Sequence, residues 1–131
     1  MKHPYHKLIK ELESKGKPVL ATIIATRGSA PQVPGASALF SGGKILSGTL
    51  GGGILEGDAT SRAGDALKKG YSLMYEFDLD DDPSGEGAIC GGSATVLLDS
   101  SPGKNIHAFK NLQDSILNGI PGVLVTLIRG K

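Results

Sequence analysis

The chain contains no tryptophan, only three tyrosines and three phenylalanines, and a single cysteine among its 131 residues. One cysteine cannot close an intramolecular disulfide, which fits a reducing compartment. No apolar run is long enough to span a bilayer, and Met1-Lys2-His3-Pro4-Tyr5-His6 lacks the apolar stretch of a signal peptide. A cytoplasmic chain is therefore expected. Charge of one sign is also missing: the formal net charge is +1, which offers no electrostatic reason to expect nucleic acid or an acidic membrane as partner. Three histidines and one cysteine make no zinc set, and no Ser-His-Asp triad can be built from them. What the chain has in excess is glycine, 20 residues of it. Glycine costs backbone entropy on folding, so the excess points to close approach of backbone to itself or to a ligand.

The apolar spacing resolves into alternating helices and strands, expected as one domain over residues 1–131. Tyr5, Leu8, Ile9 and Leu12 share a helical stripe that Pro4 opens and Gly16 ends. Residues 18–26 are continuous, apolar and β-branched, the pattern of a buried central strand. Residues 36–40 and 44–49 read as a hairpin across Ser41-Gly42-Gly43. Residues 54–69 form a helix with the small buried stripe Leu55, Ala59, Ala63, Ala66 and Leu67, capped by Gly70. Strands follow at 71–79 and 94–98. A helix at 105–118 turns Ile106, Phe109, Leu112, Ile116 and Leu117 inward, and a last apolar strand is expected at 121–128. The fold class is α/β: a mixed β-sheet, antiparallel in part, with packed helices and glycine-rich ligand loops. Residues 6–24 and 109–128 echo each other as helix, Gly-x-Pro, strand, as if a second, similar half began.

Four glycine-bearing segments could carry function: Gly28-Ser29-Ala30-Pro31, Pro34-Gly35-Ala36, residues 48–53 and Cys90-Gly91-Gly92. The strongest is Gly51-Gly52-Gly53-Ile54-Leu55-Glu56, which follows a strand and opens a helix. Backbone N–H groups and the helix dipole make such a turn an anion site, usually for phosphate. Its spacing matches neither a Walker loop nor a dinucleotide fingerprint. Glu56, one turn in, either satisfies first-turn N–H groups or serves as an acid, base or anchoring carboxylate. Cys90 is either a small buried apolar group or, with Gly91 and Gly92 leaving the backbone open, a stabilised thiolate able to ligate a soft metal or carry sulfur. Arg27 could pair with phosphate. The acidic run at 78–82 fails as a calcium loop, since Pro83 and Ile89 stand where glycine and glutamate are needed.

In this order the four segments resemble the XdhC/CoxI family, over about residues 15 to 100. The resemblance implies an accessory factor, not itself a hydroxylase and with no catalytic residue of its own. Such a factor binds the molybdenum cofactor (molybdopterin) as cargo, assists its sulfuration with a cysteine desulfurase, and hands it to a xanthine dehydrogenase-like molybdenum hydroxylase apo-enzyme. The cofactor-binding set is then Gly28, Ser29, Gly51, Gly52, Gly53, Glu56, Cys90, Gly91 and Gly92, with Cys90 as metal ligand. Two departures stand out. Gln32 occupies the place of a basic residue usual after Ala-Pro. Family members also commonly continue into a C-terminal Rossmann-like domain, so the chain is read as a fragment. Apolar strand edges allow a homodimer. The competing reading is a small phosphate-ester or nucleotide-processing enzyme that uses Glu56 as base.

Overall fold

A computed structural model describes residues 3–30, 32–79 and 92–130. The elements in chain order are α1 (Tyr5–Glu13), β1 (Val19–Arg27), β2 (Ser37–Ser41), β3 (Lys44–Gly48), α2 (Gly53–Lys69), β4 (Leu73–Asp78), β5 (Ser93–Asp99), a 3-10 turn (Pro102–Asn105) and α3 (Ile106–Leu117). The five strands form one sheet in the order β3-β2-β1-β5-β4. The α/β class with packed helices is as the sequence indicates. The mixed sheet is corrected: among the described residues every pairing is antiparallel. The reason is spatial order. β5 returns beside β1 and β4 lies outside it, so strands that looked like parallel βαβ steps in sequence run in opposite directions where they meet.

β1 is the central strand and is covered on both faces, as its unbroken apolar run requires. On one face Val19, Ala21 and Ile23 join Ala38, Phe40, Val96 and Leu98 beneath Leu55, Ala59 and Ala63 of α2. The alanines let this helix lie close to the sheet. Arg62 of α2 also sits 4.1 Å over the Tyr75 ring of β4 and pairs with Asp58 at 2.7 Å. On the other face Leu20 and Leu39 pack with Leu8 of α1 and Phe109 of α3. The two helices are joined by the stacked rings of Tyr5 and Phe109, 5.8 Å apart, and by a 2.7 Å hydrogen bond between Gln113 and His6. The result is three layers: α2, the sheet, and the α1/α3 pair.

Two expectations fail at the C-terminal side. Ile116 and Leu117 are exposed rather than inward. Residues 121–128 form no strand and pair with no strand of the sheet. The apolar, β-branched composition that suggested a strand supplies faces to bury, yet β4 and β3 already hold the two sheet edges and no described strand lies alongside this segment.

α1 ends one residue earlier than its glycine implies. Lys15, not Gly16, takes the left-handed turn (φ 63°), where a Cβ is disfavoured. Lys15→Gly should therefore raise the unfolding free energy by about 0.5–1 kcal/mol. A thermal melt of the variant against wild type checks this, and Lys15→Ile should shift the melt the opposite way.

Candidate functional site

At one end of the sheet β1, β3 and β4 finish while β2 and β5 begin. The described parts of the glycine segments, residues 28–30, 34–36, 48–53 and 92, connect elements at this end, so antiparallel topology gathers them into one rim. Gly35 donates its N–H to Ile23 O at 2.7 Å, and Ile23 N–H returns to Ala36 O at 2.9 Å, which ties residues 35–36 to a bulge in β1. Thr49 N–H reaches Ser37 O at 3.0 Å. Gly92 sits against the turn after β1: a Cβ there would collide with the carbonyl oxygens of Arg27 and Ser29. Only glycine lets the start of β5 lie this close to Gly28 and Ser29. Cys90 and Gly91 lie outside the described residues, as does most of the acidic run.

The loop into α2 is organised by Glu56. Its Oε2 accepts from Thr49 Oγ1 at 2.6 Å, Leu50 N–H at 2.9 Å and Gly52 N–H at 2.6 Å. Thr49 Oγ1 in turn accepts from Gly51 N–H at 2.9 Å. Burial would raise the Glu56 pKa, but these donors outweigh it and hold the carboxyl below its ordinary value. The sequence-based picture of a glycine turn that leaves backbone N–H groups facing outward is thus only partly realised. Leu50 and Gly52 donate inward to the chain's own carboxylate, and Gly51 to the threonine. The first-turn N–H groups of Gly53 and Ile54 come at the start of α2, where no intrahelical acceptor exists. Gly52 itself has φ 78° and ψ −166°, a region essentially confined to glycine. A Cβ on Gly52 or Gly53 would meet nothing within 4 Å, so that side of the loop is open.

Thr49 is the functional residue that sequence reasoning missed. The available signal was a hydroxyl two residues before Gly51, the spacing of a Ser/Thr side-chain turn. Gln32, noted as a departure from the family pattern, lines a shallow crevice of about 70 Å³ with His3, Tyr5, Gly35, Ser37 and Thr49. A much larger void of about 600 Å³ lies between β1, β5, α3 and residues 124–127, and touches the rim only at Gly35. The rim is a surface, not a pocket. Among the described residues no three His, Cys, Asp or Glu side chains are grouped to hold a metal ion, and no helix is long and apolar enough to cross a membrane.

The fold and rim define a three-layer α/β unit with a glycine-built loop cluster at one sheet end. The family model described as XdhC and CoxI family matches residues 12–78, and the chain belongs to that family. It is 33% identical to a probable xanthine dehydrogenase subunit of Bacillus subtilis (strain 168), over 82% of this chain and 34% of that protein. A crystal structure of a xanthine dehydrogenase from Bacillus halodurans superposes with a TM-score of 0.71 at 32% identity, covering 88% of this chain and 35% of that one. The chain therefore spans about a third of the length of these relatives.

The lowered Glu56 pKa makes a stability prediction. A carboxyl whose folded pKa lies below its unfolded value contributes stability at neutral pH, and that contribution disappears as pH falls from about 4.5 through the folded value. Glu56→Gln should cost about 1 kcal/mol at pH 7, the modest figure reflecting partial exposure. The difference between variant and wild type should shrink as pH falls below about 4.5 and vanish once pH is below the lowered folded value. Urea unfolding at several pH values measures it, and an equal deficit at pH 3 and pH 7 would contradict the charge-based account.

Proposed function

We propose that this chain carries part of an accessory factor that holds the molybdenum cofactor on the glycine rim, aids its sulfuration, and passes it to a xanthine dehydrogenase-type hydroxylase. The observation that carries this reading is the open side of the Gly52-Gly53 turn, where a Cβ would meet nothing within 4 Å at a helix start that has no side-chain cap. The cargo is a pterin dithiolene bearing a phosphate. In this reading the N–H groups of Gly53 and Ile54 take the phosphate, while Gly28, Ser29 and Gly92 allow the flat pterin to lie against bare backbone. Gly51 and Gly52 shape the loop, and Glu56 positions it without touching the cargo. Cys90, with Gly91 beside it, supplies a soft thiolate for the molybdenum end. Xanthine dehydrogenase appears in the names of both relatives, which supports a molybdenum hydroxylase as recipient. A cysteine desulfurase is the sulfur donor in this scheme, and the cytoplasm its setting.

The competing enzyme reading needs Glu56 as a general base. Three donors already occupy its Oε2 and its pKa is pushed down, both of which weaken a base. The accessory reading is therefore preferred.

The chain purified from cells that make the cofactor should carry pterin and molybdenum detectable by mass spectrometry. Gly53→Ala places a methyl on the open side at a modest conformational cost, and should weaken molybdopterin binding about tenfold or more, roughly 1.4 kcal/mol. Cys90→Ser should leave pterin affinity near wild type while molybdenum retention falls. Unchanged binding in a folded Gly53→Ala variant would overturn the assignment of the rim.

A further inference from the structure

Three aromatic rings are stacked at the start of α1. Phe109, 6% exposed, belongs to the core between the sheet and the α1/α3 pair. Tyr5 stands 5.8 Å from it at an interplanar angle of 18°, and His3 follows at 6.1 Å and 19°. Buried Pro4 separates the two outer rings in sequence, and its carbonyl accepts from Leu8 N–H at 2.9 Å. The first turn of α1 therefore fixes where both rings stand. A stack that is anchored in the core at Phe109 and exposed at His3 offers an aromatic surface to a flat ligand.

His3 and Tyr5 both line the crevice of about 70 Å³ that Gln32, Ser37 and Thr49 also line. Its polar groups are unevenly committed. The Ser37 hydroxyl donates to Gly35 O at 3.2 Å and the Thr49 hydroxyl to Glu56 Oε2 at 2.6 Å. A hydroxyl has one proton, so toward the crevice both can only accept. The half-buried Gln32 amide hydrogen-bonds no other described residue and keeps a donor and an acceptor free. The volume admits one edge of a fused ring and not the whole of a larger ligand. The 2-amino-4-oxo pyrimidine edge of a pterin carries the matching groups in order: O4 accepts, N3–H donates and the 2-amino group donates. One amide can pair with O4 and N3–H together, and the 2-amino group suits hydroxyls that only accept.

We propose that this crevice is the subsite for the pyrimidine edge of a pterin: the ring continues the His3–Tyr5–Phe109 stack, Gln32 pairs with N3–H and O4, and Ser37 and Thr49 select the 2-amino group. The choice of a pterin rests on the cargo proposed for the rim. Gln32 lies in the same β1–β2 connection as Gly28 and Ser29, and Thr49 lies in the loop into α2, so the crevice adjoins both parts of the rim.

Quenching of free pterin fluorescence on titration with the chain measures this subsite alone. Lumazine, with oxygen in place of the 2-amino group, is the control. Pterin should bind at least about tenfold tighter than lumazine, whose second carbonyl meets hydroxyls with no proton to give. Gln32→Met should weaken both ligands about tenfold, and His3→Ala should reduce both affinity and quenching. Both variants should melt close to wild type, since neither side chain is buried. Absence of pterin binding, equal binding of pterin and lumazine, or pterin binding unchanged in both folded variants would overturn the subsite. Molybdopterin separates this proposal from the cargo reading. Molybdopterin bound equally by wild type and both variants would overturn the subsite and leave the cargo reading standing. Free pterin bound as expected, with no binding of molybdopterin, would overturn the cargo reading and support the subsite.

Discussion

Everything at the candidate site depends on backbone coming close to backbone at the end of β1. The start of β5 can lie against the turn after β1 only because Gly92 presents no Cβ to the Arg27 and Ser29 carbonyls. Residues 35–36 are stitched to the β1 bulge by two main-chain bonds, and Thr49 to the start of β2 by a third. Three connections, β1–β2, β3–α2 and β4–β5, come together at this end of the sheet. The glycine content, costly in chain entropy, is offset by this dense main-chain contact and by the open surface it leaves.

Glu56 shows how one residue can satisfy a structural demand and limit a functional one. A strand–glycine–helix turn leaves several N–H groups pointing away from the chain. The Glu56 carboxylate gathers two of them and, with the Thr49 hydroxyl, the turn's third. That fixes the loop in a conformation Gly52 alone can adopt, and it narrows the anion-binding surface to the first residues of α2. A loop so held is pre-formed, so a ligand would not have to order it on binding.

Much of this was legible in the sequence. The α2 stripe of Leu55, Ala59, Ala63 and Ala66, the hairpin turning at Gly42 and Gly43, and the buried run of β1 all follow from local periodicity, which is a property of neighbours along the chain. Strand direction was not legible, because it depends on which strand β5 returns beside, and the helix between two strands looks the same for parallel and antiparallel partners. The grouping of the glycine segments was suggested by their order, but the diversion of Leu50 and Gly52 N–H groups to Glu56 was not. It needs the side chain's position in space, not its place in a motif. Residues 121–128 failed for a related reason: composition shows that a segment has faces to bury, and says nothing of where their cover comes from.

In the proposed reading the rim acts as one surface toward its cargo. Amide hydrogen exchange, followed residue by residue with and without molybdopterin, measures this. The predicted result is added protection at Gly28, Ser29, Gly53, Ile54 and Gly92 together, with little change at Leu50 and Gly52, whose N–H groups are already bonded to Glu56. Protection confined to the void beneath residues 124–127, or no change at the helix start of α2, would contradict it.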